Sequence, residues 1–165
     1  MPPNEPLLAV THLLTQRKET IATAESCTGG RLASLLTDIA GSSAYFERGV
    51  VTYSNRSKTE LLQIPESLIQ TFGAVSPEVA VAMAKGVRRL AGTTYGVGIT
   101  GIAGPDGGTL LKPAGPVPPV GTVYVAVDSK AGTEAKEFCF ATGREAFKRD
   151  VSQQALILLQ KKIAG

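Results

Sequence analysis

Residues 20–36 read T-I-A-T-A-E-S-C-T-G-G-R-L-A-S-L-L. Their first part, residues 20–25, is apolar and small enough to predict a short buried strand. From Arg31 to Leu36, apolar side chains return at helical spacing, and the spacing predicts a helix over 29–39. The turn between them holds Ser26, Cys27, Thr28, Gly29 and Gly30. A strand entering a helix through such a turn presents a side-chain oxygen or sulfur. The helix start also offers unpaired N–H groups to a developing negative charge or a phosphate.

Working outward, Leu7, Val10 and Leu14 share one face of a predicted helix over 5–18. Gly49-Val50-Val51-Thr52-Tyr53 is β-branched and strand-like, and a short helix is expected over 55–62, before Pro65. Ser76-Pro77-Glu78 combines a capping serine, a proline at the first helical position and an early carboxylate. Val79, Met83, Val87 and Leu90 then mark a buried stripe. Strands are predicted over 94–100, 120–127 and 133–141, with Cys139 in the core. A long helix over 144–163 buries Phe147, Val151, Ala155, Leu158 and Leu159. Early alternation followed by consecutive strands predicts one domain over 1–165, an α/β fold with three α/β/α layers and a mixed, mainly parallel sheet.

Composition narrows the function. The chain has 165 residues and a net charge of +3, with its basic residues scattered and no Trp. That pattern argues against a nucleic-acid partner. Two cysteines make no disulfide framework, and with the single His12 they make no zinc site, so no metal is expected. No apolar run reaches the ~20 residues of a membrane span. The start M-P-P-N-E-P-L-L lacks the character of a signal peptide, so the expectation is a cytoplasmic protein with no membrane partner.

Local sequence leaves Ser26 open between helix cap and nucleophile, and Cys27 open between buried thiol and rival nucleophile. A serine nucleophile needs a base. His12 lies on the first helix, far in sequence from any glycine turn, which leaves carboxylates or a lysine of lowered pKa. Residues 50–58, V-V-T-Y-S-N-R-S-K, put Tyr53, Asn55 and Lys58 near one another at a strand end. Lys58 could accept a proton, Tyr53 relay one or fix the lysine, and Asn55 bind an amide or hold the turn. A second glycine cluster, T-G-I-A-G-P-D-G-G over 100–108, follows a strand. It is neither a Walker A loop nor a dinucleotide fingerprint. Asp106 there could meet a ribose hydroxyl or shape the turn.

The stretches T-A-E-S-C-T-G-G, D-I-A-G-S-S-A-Y-F-E-R-G-V-V-T-Y-S-N, G-A-V-S, T-G-I-A-G-P-D-G-G and V-G-T-V-Y occur in that order. Together they resemble the CinA C-terminal domain family in its stand-alone, PncC-type form, the nicotinamide-mononucleotide deamidases. The resemblance implies a CinA C-terminal domain-like fold. It also implies a cofactor-free amidohydrolase that converts nicotinamide mononucleotide to nicotinate mononucleotide and ammonia in pyridine-nucleotide recycling. By it, Ser26 is the nucleophile, Lys58 the base and Tyr53 an orienting group. Backbone N–H groups of residues 27–30 would hold the oxyanion, and Thr100, Gly101 and Gly104 would line the pocket. Arg144 would meet the nucleotide's phosphate. The family's habit of self-association implies a homodimer or larger. The competing reading is a non-catalytic pyridine-nucleotide-binding module. One departure is an insertion, residues 114–119, after Lys112-Pro113.

Overall fold

The computed structural model describes residues 4–106 and 117–165. Its elements are α1 (Glu5–Arg17), β1 (Ile21–Glu25), α2 (Arg31–Thr37), a 3-10 turn (Ser42–Ala44), β2 (Phe46–Val51), α3 (Asn55–Leu62), α4 (Glu66–Phe72), α5 (Pro77–Ala91), β3 (Tyr95–Gly101), β4 (Thr122–Ser129), β5 (Gly132–Cys139) and α6 (Arg144–Ala164). The five strands run in the order β2-β1-β3-β4-β5. β1 pairs in parallel with β2 and β3, whereas β3-β4 and β4-β5 are antiparallel. The three-layer α/β/α sandwich with a mixed sheet is therefore what the chain adopts, with its parallel pairings confined to the β2-β1-β3 half.

Strand alternation sends side chains to two separate cores. Ile21 joins Tyr95, Val97, Ile99, Val123, Val125 and Val127 beneath α1, α2 and α6. Ala22 and Ala24 face the other way, toward Leu62 of α3, Ile69 of α4 and Val79, Met83 and Val87 of α5. On β3 the residues facing α5 are glycines, and the reason is close approach. A Cβ on Gly98 would run into the Ala80 carbonyl, and one on Gly96 into the Ala84 carbonyl. α5 therefore rests almost directly on the strand backbone.

Local signals set the helix ends. The Asn4 side chain accepts from the Leu7 N–H, and Lys18 closes α1 in the left-handed region at φ 56°. Ser76 caps α5 as its sequence predicts: its Oγ accepts from the Val79 N–H at 3.2 Å and donates to the Gly73 carbonyl at 2.8 Å.

Three expectations are corrected. Cys139 is exposed rather than core. β5 is an edge strand whose Phe138 turns to the α6 side and stacks with Phe140, so Cys139 between them faces away from that core. Leu90 is exposed, because the buried stripe of α5 ends at Val87. β2 spans Phe46–Val51, which leaves Thr52 and Tyr53 to connect it with α3. Insertion residues 114–116 lie outside the described residues, as do Gly107, Gly108, Lys112 and Pro113.

Candidate active site

The parallel half of the sheet creates the site. β1 leads into α2 on one face, while β2 returns to β3 through α3, α4 and α5 on the other. The chain thus leaves β1 and β2 toward opposite faces, so their carboxyl ends form the topological switch point of the sheet. Ser26 is the first residue beyond β1. Its N–H donates to the Ile99 carbonyl at 3.0 Å, and the Glu25 carbonyl before it accepts from the Thr52 N–H at 2.8 Å. The Ser26 turn is thereby tied to both neighbouring strands.

Lys58, in the first half of α3, reaches back to the same point. Its Nζ lies 3.3 Å from Ser26 Oγ, 3.0 Å from the Thr52 carbonyl and 3.2 Å from the Tyr53 carbonyl. Ser26 Oγ is also 3.4 Å from the Tyr53 carbonyl. Both side chains are fully buried. The two carbonyls can only accept, so each takes an N–H from the amine. The hydroxyl can accept from an ammonium or donate to the lone pair of a neutral amine. α3 needs no contribution from Lys58 to form, because Ser54 caps it by accepting from the Ser57 N–H at 3.0 Å.

Tyr53 meets Lys58 through its main chain. Its phenol is half exposed and accepts from Arg144 Nη2 at 3.4 Å, while Arg144 Nη1 donates to the Gly104 carbonyl at 2.6 Å. Arg144 therefore joins the glycine-rich loop to the segment that carries Lys58. Asn55 opens α3, and its Oδ1 is buried with no partner among the described residues. Thr100 is buried and held to the Ala74 carbonyl at 2.7 Å. Gly101 and Gly104 admit no side chain, because a Cβ would meet Val123 and Val120 respectively. Asp106 is exposed.

Glu25 is the residue that sequence reasoning missed. Its Oε1 accepts from Thr28 Oγ1 at 2.6 Å and from the Leu32 N–H at 2.9 Å, and its Oε2 accepts from the Ala33 N–H at 3.0 Å. The cap of α2 is therefore this buried carboxylate and not Ser26, whose hydroxyl meets Lys58 and the Tyr53 carbonyl. Gly30 begins the helix without any side-chain cap of its own. The signal was a glutamate placed among the small residues of a buried strand, because a carboxylate there needs donors. Within the turn, the Gly29 N–H donates to the Ser26 carbonyl at 3.1 Å, so it is already engaged. Cys27 is buried and packs into the core under α2 and α6, and Thr28 is buried with it.

Among the described residues, no group of three His, Cys, Asp or Glu side chains is arranged to hold a metal. None of the helices there is long and apolar enough to cross a membrane.

Fold and site define an α/β domain with a buried serine–lysine pair at the carboxyl end of a parallel strand. The CinA C-terminal domain model matches residues 5–163, and the chain belongs to that family. A CinA-like protein of Geotalea uraniireducens (strain Rf4) is 49% identical over 154 residues, 93% of this chain and 35% of the relative. A CinA-like protein of Syntrophus aciditrophicus (strain SB) is 50% identical over 158 residues, 95% of this chain and 36% of the relative. The chain thus spans about a third of the length of these curated relatives. Among solved structures, the competence damage-inducible protein A (ComA) from Klebsiella pneumoniae superposes with a TM-score of 0.89 at 35% identity, covering 98% of this chain and 96% of that one. The competence/damage inducible protein CihA from Agrobacterium tumefaciens gives 0.88 at 36% identity, covering 98% and 95%.

Proposed function

We propose that this chain is an amidohydrolase that uses Ser26 and Lys58 to cleave the carboxamide of nicotinamide mononucleotide. The observation that carries the reading is the 3.3 Å approach of Lys58 Nζ to Ser26 Oγ inside a fully buried site. Burial disfavours the charged form of a lysine, and a neutral amine has the lone pair that a base requires. The substrate follows from the family resemblance.

In this reading Lys58 accepts the Ser26 proton as Oγ bonds to the carboxamide carbon. The carbonyl π pair moves onto oxygen, where N–H groups of the 27–30 turn other than Gly29's receive it. Collapse of the tetrahedral intermediate breaks the C–N bond, and Lys58 returns the proton to the leaving nitrogen, so ammonia departs. Water activated by the same amine then hydrolyses the acyl-enzyme and regenerates Ser26. The Thr52 and Tyr53 carbonyls hold the amine in place throughout. Because the hydroxyl is buried, substrate entry has to open the shell around it, a step separate from the chemistry.

Ammonia release from nicotinamide mononucleotide in metal-free buffer tests this. Turnover is expected in the parent chain, with Ser26→Ala reduced to background and Cys27→Ala retaining activity. Lys58→Met is expected to lower kcat by roughly 10²- to 10⁴-fold. Its melting temperature should fall, because the Thr52 and Tyr53 carbonyls lose a buried donor, so the rates are compared at a temperature where both proteins are folded. Binding without turnover would reject the enzyme in favour of a binding module. Turnover lost with Cys27 and kept without Ser26 would move the nucleophile to the thiol.

A further inference from the structure

A nucleotide monophosphate carries a phosphate that must be held while its base meets Ser26. The start of α2 is unsuited to this task. Its Leu32 and Ala33 N–H groups already serve the buried Glu25 carboxylate, whose own charge would repel a second anion. Arg144 is only partly available, because it spans the Gly104 carbonyl and the Tyr53 phenol. Lys148 lies four residues further along α6, on the same face as Arg144. Its Nζ stands beside the nucleophile turn, so that a Cβ built on Gly29 would be 3.5 Å from it. Gly29 holds φ +62° and has no side chain, so the ammonium sits directly against the turn backbone. Gly29 in turn is bonded through its N–H to the Ser26 carbonyl. Among the described residues Lys148 has no ion-pair partner, and only its main-chain carbonyl is engaged, by Ser152 Oγ at 2.7 Å.

We infer that Lys148 is the principal phosphate-recognition residue, with Arg144 as its partner across one turn of α6, and that the pair selects phosphorylated nucleotides over nucleosides. The inference deepens the amidase reading and rests on it for the identity of the ligand. The ammonium flanks Gly29, whose N–H is bonded to the Ser26 carbonyl, so it lies beside the same turn that carries Ser26. An unpaired ammonium also gives a phosphate a charge-assisted contact without first breaking an internal one.

The test is calorimetric binding of nicotinamide mononucleotide and of its dephosphorylated riboside, with Ser26→Ala as parent so that turnover does not consume the ligand. Adding Lys148→Met should weaken the mononucleotide about 10- to 100-fold, the loss of one charge-assisted contact, and leave the riboside within about twofold. Lys148→Arg should restore most of the affinity. The proposal is overturned if Lys148→Met leaves mononucleotide affinity unchanged, if it weakens both ligands equally, or if the parent binds no mononucleotide. Ammonia release separates this from the amidase reading. Lys148-dependent binding without ammonia release would overturn the amidase and leave the phosphate site standing. Full turnover by Lys148→Met in the otherwise native chain, at unchanged KM, would do the reverse.

Discussion

Three donors converge on the Glu25 carboxylate: a hydroxyl from Thr28 and two N–H groups from the first turn of α2. All of its contacts are donors, so it shapes the turn without needing a cation. Glu25→Ala would leave the donors stranded in a buried site at a cost of about 3 kcal/mol, and Glu25→Gln would set an NH2 group against one of them. Both variants should shift the urea midpoint downward, with Ala the worse. Because the carboxylate also fixes where the turn begins, the surviving folded fraction should show lower kcat at near-native KM. A stability loss with full kcat would make Glu25 structural only. Ser26 and Lys58 show the same scale from the other side. They lie 32 positions apart, and neither is distinctive alone: a serine before a helix is commonly a cap, and an isolated lysine is commonly solvated. Glu25, not the Ser26 hydroxyl, does the capping, and the hydroxyl meets Lys58 and the Tyr53 carbonyl instead.

At the scale of elements, the close contact of α5 with β3 sets where the end of β3 lies. The helix lies close because Gly96 and Gly98 are bare, and it stays in register because Ser76 pins its start. Gly98→Ala would place a methyl group against the Ala80 carbonyl and the Ala84 N–H. Backbone atoms cannot swing away as a side-chain tip can, so the helix must lift. We expect a loss of about 2–3 kcal/mol by denaturant titration, and a gap at the Thr100 end of β3. A stability within about 0.5 kcal/mol of the parent would show that α5 is not seated on the strand. Most element boundaries were legible because their causes are local. Ser76-Pro77 starts α5, and the apolar period of residues 144–163 gives α6 its buried face. The beginning of β2 was less legible: it is an edge strand with mixed exposure, so its pattern carries little periodic signal. α4 is only seven residues long and was not singled out, because two helical turns hold too few apolar repeats to stand out.

Across the whole molecule, Tyr95 links distant parts of the chain. Its phenol donates to Glu19 Oε2 at 2.9 Å, joining the start of β3 to the α1–β1 connection. Burial foremost, and then the Glu19 bond and charge, push its pKa up to about 12 from 10.0, against a smaller opposing effect of Arg17. The native state therefore holds this proton more tightly than the unfolded chain. The stabilisation is fully present below pH 10, declines as pH rises beyond it, and is gone above about pH 12. Two pH units correspond to at most about 2.7 kcal/mol. Urea titrations at pH 9 and pH 11.5 should show the parent losing stability between them and Tyr95→Phe losing less. Equal losses would remove Tyr95 as a source of alkaline sensitivity. Tyr45, whose pKa burial also raises, should contribute to the decline that remains.

The amino-acid sequence by itself determined the order of the longer helices and the strands, the cap of α5, the strand–turn–helix at Ser26 and most of the apolar faces, since each depends on neighbours a few residues away. Only the tertiary structure decided that Lys58 turns inward to Ser26, that Glu25 and not Ser26 caps α2, that Cys139 faces outward, and that Lys148 comes to rest beside Gly29. Those outcomes depend on which strand lies at an edge and which helix crosses which turn. Contacts between residues tens of positions apart are set by packing the whole sheet, and no local period encodes them.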